Sequence, residues 1–80
     1  MREYIATFHT HLSALLTSRA LTAVGAKAQM MPVPRKLSSS CGTCVRYLAE
    51  DPHFSSMVED VEAVYERTGN EEYALLMEAE

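Results

Sequence analysis

Apolar positions alternate at the start of the chain, then take up helical spacing, then return to short β-rich runs. Residues 3–9, Glu-Tyr-Ile-Ala-Thr-Phe-His, alternate in part and are rich in β-formers, which predicts a first strand. Thr10 is a suitable N-cap for a helix running to Val24, with Leu12, Leu15, Leu16, Ala20, Ala23 and Val24 as its apolar face. Gly25 then serves as the residue that ends it. Lys27 to Val33 reads as a second strand. Pro32 and Pro34 cannot donate to a β-ladder, so this strand belongs at a sheet edge. Arg35 to Thr43 reads as loop. Cys44 to Ala49 reads as a third strand, with Val45 and Tyr47 on one face and Arg46 and Leu48 on the other.

Asp51-Pro52 has the form of a helix start, and Phe54, Met57, Val58, Val61, Val64 and Tyr65 fall at helical spacing before Gly69. In residues 72–78, Tyr73, Leu75 and Met77 alternate as in a strand, whereas Glu, Ala, Leu and Met suit a helix. With a strand there, the order is βαββαβ. That order predicts an α+β, ferredoxin-like domain, a four-stranded antiparallel sheet with two helices on one face, spanning residues 1–80 as a single domain. In such a sheet His9, Thr10 and His11 meet the loop Arg35–Cys44 at one edge, while His53 lies at the other.

Composition narrows the chemistry. Two cysteines are too few for a disulfide scaffold. The start Met1-Arg2-Glu3-Tyr4 leads into no signal-peptide core, because Thr7, His9, Thr10 and His11 interrupt it, and no apolar run has membrane-spanning length. A cytoplasmic protein with no membrane partner is expected. The net charge of −4 is unevenly spread. Residues 1–48 carry six basic residues and one acid, and residues 49–80 carry one base and ten acids. The basic residues are few and scattered, which argues against nucleic-acid binding.

A close cysteine pair in a reducing compartment points to redox, sulfur or metal chemistry. The pair lies in Ser38-Ser39-Ser40-Cys41-Gly42-Thr43-Cys44. Arg35, Lys36 and the nearby helix N-terminus all favour thiolate over thiol at Cys41. The serines and Gly42 offer a nest of N–H and O–H donors for an anion. His9 is placed to act as a base or hydrogen-bond partner for Cys41. Cys41-Gly42-Thr43-Cys44 could also serve as a thiol-redox pair, although it opens a strand and not a helix. A metal site would draw on Cys41, Cys44, His9 and His11 as four ligands. A third reading is a non-catalytic interaction domain, and two exposed sheet edges leave room for a homodimer.

The segments Tyr4-Ile5-Ala6-Thr7-Phe8-His9-Thr10 and Pro32-Val33-Pro34-Arg35-Lys36-Leu37-Ser38-Ser39-Ser40-Cys41-Gly42 resemble a small bacterial family of selenium/sulfur carrier-like proteins. The resemblance runs over about residues 3–78, with residues beyond the third strand matching only in general pattern. It implies a cysteine that carries sulfur or selenium as a persulfide-like group between enzymes. Cys41 would be the carrier residue, with His9 and Arg35 as the other matched motif residues. Such a protein needs a donor enzyme and an acceptor enzyme, and implies no cofactor. Cys44 departs from the family pattern, and a second thiol there could resolve a persulfide into a disulfide.

Overall fold

The computed structural model describes residues 1–79. The elements are β1 (Arg2–Phe8), α1 (His11–Ala23), β2 (Lys27–Pro32), β3 (Thr43–Ala49), a 3₁₀ turn (Phe54–Ser56), β4 (Val61–Gly69) and β5 (Glu72–Glu78). The strands form one antiparallel sheet in the order β2-β3-β1-β4-β5. The helix lies across one face, over a core that includes Tyr4, Ala6 and Phe8 of β1, Val45 and Tyr47 of β3, and Val61 and Val64 of β4. Tyr4 and Tyr47 stack at the centre of this layer, their rings 5.1 Å apart.

The helix starts and stops where local chemistry directs. Thr10 Oγ1 accepts from Ser13 N at 3.2 Å, a cap that contributes about 1 kcal/mol. At the other end Gly25 adopts φ +90, which lets its N–H reach Thr22 O at 3.1 Å while Ala26 N reaches Leu21 O at 3.0 Å. That pair of bonds is a Schellman closure. The buried face differs from the leucine stripe that helical spacing predicts. Ala14, Thr17 and Leu21 are buried, whereas Leu12, Leu16 and Val24 are 61%, 45% and 52% exposed. Small residues at 14 and 17 let the helix sit close on a sheet whose inner face already holds Tyr4, Phe8 and Tyr47. Thr17 Oγ1 also accepts from Val58 N at 3.3 Å, tying the helix to the crossover after β3.

The ferredoxin-like arrangement of four strands and two helices is not formed. Residues 52–68, which helical spacing assigns to a second helix, divide between the 3₁₀ crossover and β4, and residues 72–78 add a fifth strand. The reason lies in β1. Its residues Tyr4–Phe8 are all buried, so its backbone groups need partners on both edges. β3 satisfies one edge and β4 the other, through pairs from Tyr4↔Glu66 to Phe8↔Val61. Val61, Val64, Tyr65 and Thr68 are β-branched or aromatic and suit that position. Asp51 does accept from an amide two residues on, His53 N at 2.8 Å, but His53 takes φ 50 and the chain leaves the helical region.

The face of the sheet away from α1 is shielded by its own side chains. Glu3 pairs with Arg46 at 3.0 Å and Arg67 at 3.2 Å, on the face where Ile5 and Thr7 are buried.

The β4–β5 hairpin turns through Asn70 and Glu71, and Glu71 holds φ +61. A non-glycine residue there is strained by its Cβ. Glu71→Gly should therefore stabilise the fold by about 1 kcal/mol, read as a rise in the urea midpoint at unchanged slope. An unchanged or lowered midpoint would contradict the strain.

Candidate functional site

The first crossover brings three segments together at one edge of the sheet: the end of β1 with the start of α1, the loop between β2 and β3, and the start of β4. Pairing of β1 with β3 ends at Thr7↔Cys44. The carbonyl of Phe8, one residue further, accepts instead from Ser39 Oγ at 2.9 Å. Cys41 Sγ lies 3.5 Å from that carbonyl, 3.5 Å from Thr43 O and 3.7 Å from Ser39 Oγ. The loop is closed on itself by Val33 N to Gly42 O at 3.0 Å and Gly42 N to Ser39 O at 3.3 Å, with Gly42 at φ +74. Both carbonyls near Cys41 are acceptors, so its resting contacts suit an S–H donor.

The two cysteines differ sharply. Cys41 is half-buried on the loop, whereas Cys44 is fully buried in β3, its thiol directed to Pro32 O at 3.8 Å. Burial, with a smaller contribution from the neighbouring Cys41, pushes the Cys44 thiol up to about 11. Both thiols are free. Cys44 is thus poorly placed for the redox pairing that the Cys-x-x-Cys spacing suggests. The four-ligand metal set also fails to assemble: among the described residues no group of three or more His, Cys, Asp or Glu could hold a metal ion. His9 and His11 turn to different partners, His9 Nδ1 to Ser40 Oγ at 3.3 Å and His11 Nδ1 to Thr43 Oγ1 at 3.5 Å.

The electrostatics depart from the basic site that residues 35–44 predict. Arg35 and Lys36 are exposed and make no ion pair or side-chain hydrogen bond among the described residues. The donors of the loop and of the helix start are taken by two carboxylates of the β4 segment. Glu62 accepts from Ser40 N at 3.0 Å through Oε1 and from Ser40 Oγ at 2.7 Å through Oε2, with His9 Nδ1 at 3.4 Å. Asp60 Oδ2 accepts from Thr10 N at 3.0 Å and Thr10 Oγ1 at 3.2 Å. Partial burial works against ionisation of Glu62, but the Ser40 hydroxyl and amide, and then His9, outweigh it and hold the carboxyl below the usual carboxylate range. The Ser13 and Thr10 donors do the same for Asp60 against a smaller desolvation effect.

A register shift explains how Glu62 reaches the loop. Thr7 pairs with Ala63 and Phe8 with Val61, so Glu62 has no β1 partner of its own. Such a bulge re-aims a side chain at a strand end. Neither Glu62 nor Asp60 stands out in the sequence, where both fall on the wet face of a presumed helix. Val61, Val64, Tyr65 and Thr68 signal a strand there, but no alternation marks Glu62 or Asp60. Beside the loop lies a cavity of about 180 Å³ lined by Thr7, His9, Ser38, Glu62 and Tyr65, among others. His53 sits at the opposite end of the sheet, its ring 3.5 Å from Asp51.

Residues 3–68 match the family described as "Putative Se/S carrier protein-like". A relative in Escherichia coli (strain K12), the uncharacterized protein YtiA, is 33% identical over 45 residues, which is 56% of this chain and 53% of the relative. The match thus spans about half the length of that curated protein. No solved structure matches the chain. No helix among the described residues is long and apolar enough to cross a membrane.

The contrast between the thiols predicts their reactivity. Iodoacetamide near neutral pH should label Cys41 in the folded protein and leave Cys44 until the pH approaches about 11 or the chain unfolds. Peptide mapping checks this, and labelling of Cys44 first would contradict the geometry. Glu62 also sets an acid limit. Its folded-state pKa is depressed, so its contribution is present above the unfolded carboxylate value of about 4.3 and is lost as pH falls through the folded value. Urea melts should show wild type losing more stability than Glu62→Gln across that acid window. Parallel losses would rule out the Ser40 contacts as a source of stability.

Proposed function

The chain belongs to the Se/S carrier protein-like family, and from that premise we propose that it accepts and delivers sulfur or selenium on Cys41. The observation that carries this reading is the unequal placement of the two thiols. Cys41 is reachable at the edge where three segments meet, and Cys44 is buried with its thiol held protonated. Loading balances as an exchange with a persulfide donor. Cys41 thiolate attacks the outer sulfur of R–S–SH, the donor S–S bond breaks, a new S–S bond forms at Cys41, and R–S⁻ leaves and takes up the proton. There is no net oxidation, so no further redox partner is needed.

The surroundings of Cys41 give the step a direction. Its thiol hydrogen is directed at carbonyl oxygens, and loss of that proton sets a negative sulfur against the Phe8 and Thr43 carbonyls. The ionised side chain is driven out of this seat, toward the mouth of the loop. Ser39 Oγ, 3.7 Å away, can turn its proton to the sulfur, and His9, its ring 3.3 Å from the hydroxyl of Ser40 next to Cys41, is the imidazole placed to serve as base. Ser38 and Gly42 frame the same loop, and the exposed Arg35 offers charge to an incoming donor and not to the resting thiol. A donor and an acceptor enzyme complete the cycle. Cysteine desulfurase or selenocysteine lyase chemistry would suit the donor.

Intact-mass spectrometry after incubation with a persulfide (R–S–SH) or selenenyl-sulfide (R–S–SeH) donor, followed by thiol trapping, tests the proposal. A reductant-sensitive gain of one sulfur or selenium should appear in wild type, persist in Cys44→Ser and vanish in Cys41→Ser. No gain on reduced wild-type protein, or a gain that survives Cys41→Ser, would sink it.

A further inference from the structure

We propose that Glu62 is a positioning residue for the Cys41 site, holding the loop through Ser40 and fixing His9 with its proton on Nδ1 and its lone pair on Nε2. The inference rests on the carrier reading for its purpose, though not for its test.

The hydrogen bonds leave little choice of proton placement. Both Glu62 oxygens are engaged by Ser40, one by its amide and one by its hydroxyl. At 2.7 Å the Ser40 hydroxyl is committed as donor to Oε2. What Ser40 Oγ then presents to His9 Nδ1, at 3.3 Å, is a lone pair. The other atom close to Nδ1 is Glu62 Oε2 at 3.4 Å, also an acceptor. Two acceptors facing one ring nitrogen require that nitrogen to carry the hydrogen. In the neutral ring Nε2 is then the unprotonated nitrogen, and the His9 side chain is about half exposed. The side chain is therefore set to take up a proton from an approaching group.

The same carboxylate fixes the two segments that define the seat of Cys41. Ser40 immediately precedes Cys41, and His9 immediately follows Phe8, whose carbonyl the thiol faces. Glu62 bridges them from a third segment, and its own backbone is pinned where Ala79 N donates to Glu62 O at 2.8 Å. The other ionisable groups around it are Tyr65 and Glu78, which line the same cavity, and Asp60, which adds negative charge near His9. None of them has a hydrogen bond to the His9 ring among those described, so the tautomer falls to Glu62 and Ser40.

Ring ¹⁵N spectra of His9 in the full chain, at about pH 8 where an ordinary imidazole is neutral, decide the point. Wild type should show the Nδ1–H form as the major species. Glu62→Gln and Glu62→Ala should shift the ring toward Nε2–H while backbone spectra stay folded. They should also change the pH profile of Cys41 alkylation, measured in a Cys44→Ser background. A wild-type ring already in the Nε2–H form would overturn the proposal whether or not the variants fold, and so would an unaltered tautomer in a folded Glu62 variant. Failure of carriage reads out differently. An Nδ1–H ring on a protein that takes up no chalcogen would keep Glu62's role and end the carrier reading. A loaded Cys41 beside an Nε2–H ring would do the reverse.

Discussion

Everything in this fold depends on pairing both edges of β1. A strand buried along Tyr4–Phe8 has no water to satisfy its backbone, so each amide and carbonyl of the ladder must find a neighbouring strand. β3 closes one edge, reached by the helical crossover and the β2–β3 connection. The other edge draws in residues 61–69, and that requirement overrides the helical spacing of the same residues. With β4 in place, β5 follows by a short hairpin, and one helix is enough to cover the inner face.

The site is a consequence of where β1 runs out of partners. Past Thr7 the ladder with β3 ends, and the Phe8 carbonyl becomes an acceptor for Ser39 and the seat of the Cys41 thiol. On the other side the bulge at Glu62 turns a carboxylate toward the same point. The donors that composition offers to a foreign anion are thereby used internally. Ser40 holds Glu62, and Thr10 at the helix start holds Asp60. The acidic half thus supplies the acceptors for the loop and the helix start, through hydroxyl and amide donors and not through the basic side chains. Arg35 and Lys36 stay exposed to solvent.

The helix shows the same economy. Leu21 enters the core but Leu12 and Leu16 do not, because Ala14 and Thr17 at the contact bring the helix close to a layer of aromatic rings. Leu12 and Leu16 are left facing outward on the first two turns, the end of the helix that reaches the cysteine loop.

Much of the first half was legible in the sequence. The cap at Thr10, the stop at Gly25, the proline-limited edge strand and the facing of Val45 and Tyr47 all follow from local rules that neighbouring residues satisfy by themselves. So did the meeting of His9 with the Ser38–Cys41 loop, since a right-handed crossover puts those segments at one edge. Other features were decided only by tertiary structure. Residues 61–69 combine helical spacing with β-branched and aromatic residues, and the vacant edge of β1 selected the strand. Which face of α1 is buried depended on the bulk already present on the sheet. The unequal fates of Cys41 and Cys44 came from one lying on the loop and the other inside the ladder. The role of Glu62 came from a bulge that no local pattern announces. Local sequence determines turns, caps and alternation because those interactions span a few residues. The partner of an unsatisfied edge or donor is determined by the whole fold, because it lies tens of residues away along the chain.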